Sequence, residues 1–168
     1  RTHRRGRRRG GGALTVGRNV AELENRPRGV AIGTFDGVHL GHRRVLEAAR
    51  ASGRTPTAVT FDPHPRIAFG YDVRLLTTLE RRLELIGEAG IEDILVVEFG
   101  LELSRLDPEE FADAVLRPIG TEVVVAGADF RFGHGRSGDL ALLENLGYET
   151  RVVPLAEGVS SSTIRDLL

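Results

Sequence analysis

Val30-Ala31-Ile32-Gly33-Thr34-Phe35-Asp36-Gly37-Val38-His39-Leu40-Gly41-His42 is the stretch that decides the fold. A short apolar run over residues 30–35 stops in a glycine- and histidine-rich turn. It gives way to helical spacing over residues 42–50, where Val45, Leu46 and Ala49 share one face. A strand turning straight into a helix is the first half of a βαβ crossover. The glycines let backbone approach a ligand closely. The helix start offers free N–H groups and a partial positive charge. His39 and His42 stand three apart, so both imidazoles can face one point above the helix start. That arrangement suits a polyphosphate. Zinc is the other use of paired histidines, but it needs three or four ligands, and the spacing fits no common zinc pattern.

Outward from this stretch the alternation continues. Residues 57–61 are β-prone and stop at Asp62-Pro63-His64-Pro65, which cannot continue a central strand. Thr77 and Glu80 form a capping box that opens a helix through Ile86, closed by Gly87 and Gly90. Residues 94–99 read as a buried strand. Asp107, Pro108 and Glu110 supply an N-cap, a proline at the first helical position and an acid at the third, for a helix to about Leu116. Residues 122–126 are a strand, residues 138–146 a helix and residues 148–153 a fifth strand. Ser160 or Ser161 caps a final helix. Five strands alternating with five helices, with Val/Ile-rich strand cores, predict a parallel sheet covered on both sides. Right-handed crossovers then make it doubly wound. In such folds ligands sit beyond the C-terminal strand ends.

Three further loops lie at those ends. Asp62, Pro63 and His64 form a stiff turn in which Asp62 could hold a metal–phosphate complex or orient a base; a plain rigid turn is the alternative. Asp129 follows the fourth strand, and Phe130 and Phe132 alternate with Arg131, offering rings for stacking and a guanidinium for phosphate unless the alternation simply extends the strand. Ser160, Ser161 and Ser162 offer hydroxyls at a helix start, with Arg165 one turn on, which suits phosphate oxygens; taken alone the segment reads better as a plain N-cap with a surface arginine. The match to G-x-G-x-x-G at residues 133–138 is a decoy. It sits at the fourth crossover and does not turn directly from strand to helix.

Composition narrows the chemistry. The 168 residues are 40% hydrophobic and 28% charged, which fits one ordinary globular domain. Cys is absent, which excludes disulfides, thiolate metal sites and cysteine nucleophiles. Lys is absent, which excludes a Walker P-loop and Schiff-base catalysis. Met is absent too, so the chain is expected to be processed, engineered or excised. Six arginines fall within residues 1–9, whereas the rest carries 17 arginines against 24 acidic residues. Residues 1–13 are therefore expected to be a disordered Arg/Gly-rich tail, and residues 14–168 the domain. No apolar run reaches the ~18 residues of a membrane span. The acidic domain argues against nucleic acid as a partner, with the basic tail a weak exception.

Taken in order, GTFDGVHLGH, TFDPHP, VVVAGADFRFG and VSSSTIR resemble the adenylyltransferase domain of bacterial riboflavin kinase/FAD synthetases, from about Leu14 to Leu168. The resemblance implies a Rossmann-like nucleotidylyltransferase fold of the HxGH type. It implies transfer of AMP from ATP to FMN, giving FAD and pyrophosphate with Mg²⁺ held mainly by ATP phosphates, in a cytoplasmic enzyme. Carried over, His39, His42 and Arg165 would be catalytic. Gly33, Phe35, Asp36, Gly41, Asp129 and Ser160 to Ser162 would hold ATP. Asp62, Pro63, His64, Phe130, Arg131 and Phe132 would face FMN, and no residue would ligate a metal directly. Two departures stand out. Gly158 replaces an Arg that usually precedes the hydroxyl run, and Ser162 replaces a Thr. The kinase barrel of the family has no counterpart in these 168 residues. Another small-molecule nucleotidylyltransferase, or a flavin- or nucleotide-binding module without catalysis, are the alternatives. The sequence leaves oligomeric state open.

Overall fold

Strand centres built from Val, Ile and Ala without polar alternation need cover on both faces, and both faces are covered. The computed structural model describes residues 3–7, 13–38, 40–72 and 74–154. Among these, seven strands form one sheet: β1 (His3–Arg7), β2 (Ala13–Gly17), β3 (Arg28–Ile32), β4 (Thr55–Asp62), β5 (Asp93–Glu98), β6 (Thr121–Gly127) and β7 (Glu149–Val153). Their order is β1-β2-β5-β4-β3-β6-β7. Every neighbouring pair is parallel except β1 with β2. Side chains of β3 alternate between two cores. Ala31 faces α1 (Leu40–Arg50) and α3 (Leu79–Glu88), packing with Val45, Leu46 and Ile86. Val30 and Ile32 face the opposite layer, with Phe111, Leu116 and Leu143. That layer comprises α5 (Pro108–Phe111), a π-helical turn continuing it over Ala112–Leu116, and α6 (Leu140–Asn145). Two short helices, α2 (Pro65–Ala68) and α4 (Leu101–Arg105), lie beyond β4 and β5.

The N-terminal end of the sheet is fastened by one guanidinium. Arg28 opens β3 with no solvent exposure. Its Nε donates to the Ile119 carbonyl at 2.8 Å and its Nη2 to the Glu24 carbonyl at 2.7 Å. Its Nη1 donates to Thr57 Oγ1 at 2.9 Å and to the Asp93 carboxylate at 2.6 Å. A buried charge is tolerable when it is paired and hydrogen-bonded in this way.

The doubly wound α/β class is as expected, but the sheet has seven strands rather than five. The five expected segments became β3 to β7. The two extra strands come from the region before Val20. Residues 1–13 are not wholly without structure, because His3–Arg7 pairs antiparallel with β2. An edge strand needs only backbone hydrogen bonds on one side, and low hydrophobicity does not forbid that. Residues 30–35 are not one strand. The strand ends at Ile32, and Phe35 is buried in a turn with φ 55°. Its apolarity mimicked a strand residue. The α3 cap is Thr78 rather than Thr77, with Thr78 Oγ1 accepting from Arg81 N at 3.1 Å. Thr77 is engaged elsewhere. Gly87 lies inside α3, and the turn comes at Gly90, φ 100°. The Asp107 cap, with Pro108 behind it and Glu110 closing the box, is formed as read. The helix expected from Ser160 or Ser161 lies outside the described residues.

Candidate active site

Strand order locates the site before any side chain is considered. From β3 the chain crosses to β4 and β5 on one side, then returns to place β6 on the other side of β3. The connections leaving β3 and β6 therefore part company at their C-terminal ends, which is the switch point where open α/β sheets bind ligands. The loop over residues 33–42 leaves β3 there, and residues 128–132 leave β6.

The first loop is held under strain. Phe35 and Val38 have φ of 55° and 43°, values that side chains with a Cβ rarely adopt. Gly37 has φ 81°, and a Cβ there would lie 2.7 Å from Leu76 Cδ1. Gly33 N donates to the Val59 carbonyl at 3.1 Å, tying the loop to β4. Gly41 and His42 open α1. The His42 ring meets the buried Phe35 ring edge-on, with centroids 5.4 Å apart and planes at 82°. Phe35 thus supports an imidazole from beneath, with 1% of its own surface exposed. His39 lies outside the described residues.

Asp36 has a different task from the one the resemblance implied. Asp36 is buried, at 2% exposure. It accepts from Leu76 N at 2.9 and 3.1 Å and from Thr77 N at 3.1 Å. Thr77 Oγ1 in turn accepts from Gly37 N at 3.2 Å. Short polar side chains seek nearby backbone groups, and here they join the loop leaving β3 to the approach to α3. From α3 itself, Arg82 reaches back. Its Nη1 donates to the Thr34 carbonyl at 2.6 Å, and Thr60 Oγ1 donates to the same oxygen at 3.0 Å. Burial holds the Arg82 guanidinium below its ordinary pKa, while the nearby charges of Asp62 and Asp36 pull it back up.

At the end of β4, Asp62 lies 3.8 Å from Nη1 of Arg18, which stands just past β2. Arg18, Asp62, Pro63, Val96 and Glu98 line a cavity of about 240 Å³ over the ends of β2, β4 and β5. The Asp62–Pro63 peptide is cis. His64 does not join this wall. It caps α2, with Nδ1 accepting from Arg66 N at 3.1 Å, and is 9% exposed. A helix start following directly explains why the ring turned inward to the backbone.

Beyond β6, Asp129 and Arg131 are exposed, and Arg131 lies 3.8 Å from Asp139. Phe132 is a core residue, 7% exposed, so its ring is not presented to a ligand. Phe130 stacks on it with planes at 11° and centroids 5.5 Å apart. The alternation therefore marks an apolar anchor and an outward arginine. The glycine-rich residues 133–138 form a closed loop bridged by Phe132 and Gly138, not a strand-to-helix turn. Ser160, Ser161, Ser162 and Arg165, together with Gly158, lie outside the described residues.

Arg82 was missed because LERRLELIGE reads as an amphipathic surface helix. The signal was present in the spacing, since Leu79, Arg82, Leu83 and Ile86 share one face at i, i+3, i+4 and i+7.

The sequence profile of the FAD synthetase family matches residues 21–162. The chain is 35% identical over 150 residues to the bifunctional riboflavin kinase/FMN adenylyltransferase of Listeria monocytogenes, covering 81% of this chain and 48% of the relative. It is 34% identical over 154 residues to the protein of the same name in Escherichia coli, covering 83% of this chain and 49% of the relative. The chain spans about half the length of these two relatives. Among solved structures, a macrolide-efflux protein from Streptococcus pneumoniae superposes with a TM-score of 0.76 at 23% identity, over 90% of this chain and 55% of that one. Pantoate-beta-alanine ligase from Francisella tularensis gives 0.61 at 12% identity, over 93% of this chain and 74% of that one. At these identities the likeness concerns the fold.

Proposed function

We propose, starting from the fact that this chain belongs to the FAD synthetase family, that it is an FMN adenylyltransferase. It would transfer AMP from ATP to FMN and release FAD and pyrophosphate. An oxygen of the FMN phosphate attacks the α-phosphorus of ATP in line. The bond from that phosphorus to the oxygen bridging to the β-phosphate breaks, and pyrophosphate leaves with that electron pair. The attacking phosphate is already anionic, so no general base is needed. The protein's part is to position the reactants and to stabilise charge on the departing oxygens.

The observation that supports this reading most is the loop leaving β3 at the switch point. It is strained, pinned from three sides, and ends in an imidazole braced on Phe35 in the first turn of α1. His42 would donate to the phosphates together with His39. Asp129, Ser160, Ser161, Ser162 and Arg165 would hold the remainder of ATP. Asp62 and Pro63, on the wall of the cavity beyond β4, would face FMN. Mg²⁺ would be held by triphosphate oxygens and water, as its preference for few carboxylates suggests. Asp62 and Asp129 are open to solvent at the ends of β4 and β6, where a hydrated cation could be met through water, while the Asp36 carboxylate accepts from Leu76 N, Thr77 N and Thr77 Oγ1. Bound with ATP, the ion offsets charge on the leaving pyrophosphate. No described helix is long and apolar enough to cross a membrane, and ATP and FMN as substrates fit a cytoplasmic setting.

The test is direct. Purified chain with FMN, ATP and Mg²⁺ is followed by chromatography for FAD and by pyrophosphate release. FAD and pyrophosphate in equal amounts are expected, and His42→Ala should lower turnover by ~100-fold with less effect on FMN binding. Binding of FMN and ATP without pyrophosphate release would make the chain a binding module. Turnover with another phosphate acceptor alone would reassign the substrate.

A further inference from the structure

Two buried arginines in this fold are treated in opposite ways. Arg28 has four partners, including a carboxylate. Arg82 is also buried, at 5% exposure, but no described carboxylate forms an ion pair with it, and its Nε is buried with no partner. A buried charge without an ion-pair partner is costly; Asp62 and Asp36 act on Arg82 only from a distance, and such groups cluster at functional sites. The cost is concentrated under the phosphate loop, because the one strong bond Arg82 makes is to the Thr34 carbonyl.

That carbonyl belongs to the peptide unit whose other end is Phe35 N–H. Peptide units are planar, so fixing the Thr34 oxygen fixes the plane from which Phe35 enters its left-handed conformation at φ 55°. An L-residue with a large side chain holds that conformation only when its surroundings impose it. The Phe35 ring, so placed, stands edge-on to His42 at 5.4 Å. We infer that Arg82 is a positioning residue for adenylyl transfer, acting through the Thr34 carbonyl and the Phe35 ring on the imidazole of His42. The inference rests on the proposed phosphate-binding role of that loop.

Arg82→Met removes the donor with little loss of stem, and Arg82→Lys keeps a charge and a single donor. Both are made in the full chain. The first readout needs no substrate: the His42 ring signal in proton NMR, assigned by its loss in His42→Gln, senses the Phe35 ring. It should move in Arg82→Met, whereas the His134 signal stays. The second is kinetic. In Arg82→Met, kcat should fall by about tenfold with the KM for FMN within about twofold, the pattern of a misplaced group rather than a lost binding site. Arg82→Lys should recover most of that loss, with its His42 signal between the other two. A merely stabilising Arg82 would lower the melting temperature and leave both readouts alone. Wild-type values of either in folded Arg82→Met overturn the inference. Should Arg82→Met not fold, Arg82→Gln, which keeps a polar side chain but lacks the guanidinium, decides by the same two readouts, and wild-type values there overturn it. A wild-type chain that makes no FAD ends the functional reading, and the His42 signal then still judges the tether.

Discussion

Replacing Asp93 by Asn leaves the shape of the sheet's N-terminal end intact and removes only a charge. Arg28 cannot turn to water, because its side chain is fully buried while that of Asp93 is 10% exposed. The guanidinium would keep its bonds to Ile119, Glu24 and Thr57, and the Asn carbonyl could still accept from Nη1. What is lost is the counter-charge 2.6 Å away. Breaking a buried pair from one side costs about 3–5 kcal/mol. The retained hydrogen bond puts Asp93→Asn at the lower end, about 3 kcal/mol. With a urea m-value of about 2 kcal/mol/M, the unfolding midpoint should fall by about 1.5 M at unchanged slope. Arg28→Met should cost a similar amount, since it strips the donor from the buried Ile119 carbonyl and leaves the Asp93 carboxylate without its cation. The double variant Arg28→Met/Asp93→Leu should cost well under the sum, because an apolar pair needs no counter-charge. FAD formation at 25 °C should be unchanged in Asp93→Asn, since the pair sits at the sheet end opposite the site. A midpoint shift below about 0.5 M, or strict additivity in the double variant, would refute the argument that pairing makes this buried charge tolerable.

Other expectations follow from the site and its supports. Asp36→Ala should lower stability by about 2 kcal/mol, because it leaves Leu76 N and Thr77 N without their acceptor. Thermal melts check this, and a melting temperature equal to wild type would contradict it. Gly37→Ala should destabilise by about 1–2 kcal/mol through its φ of 81° and the contact with Leu76; equal urea midpoints would show that the loop relaxes freely. Desolvation raises the Tyr148 phenol above its ordinary 10.0, with Arg117 opposing the shift. The folded form therefore holds that proton more tightly, so the stabilisation is fully present below pH 10 and is lost as pH rises through the folded value. Tyr148→Phe should flatten the alkaline fall of the urea midpoint, and an identical alkaline profile would count against it.

The fold was legible where burial and period agree. β4, β5 and β6 were found within two residues of their ends because strands covered on both faces are apolar throughout. β1 was not, because an edge strand rests on backbone bonds that leave little trace in side-chain pattern, and β2, between β1 and β5, is a five-residue strand in which, among the described side chains, only Leu14 and Val16 pack on the core. The site was legible as a location rather than as a set of contacts. Glycines and histidines between a strand and a helix marked the loop. Composition does not tell whether a polar side chain faces ligand or backbone, and so Asp36 and His64 were assigned outward when each serves the chain itself. Phe132 was read as a ligand ring for the same reason, although it fills core. Arg82 hid in the opposite manner, a charge on the apolar face of a helix.

Six phenyl rings touch in succession across the molecule: Phe69 meets Phe99, Phe99 meets Phe61, then Phe111, Phe132 and Phe130. One end of this seam is the exposed Phe69 just past α2, and the other is the turn after β6. Two margins of the sheet's C-terminal edge are therefore mechanically joined through the interior, without a Trp anywhere in the chain. Close-packed interiors pass strain along instead of absorbing it, so a load on Phe69 would be felt at the turn after β6.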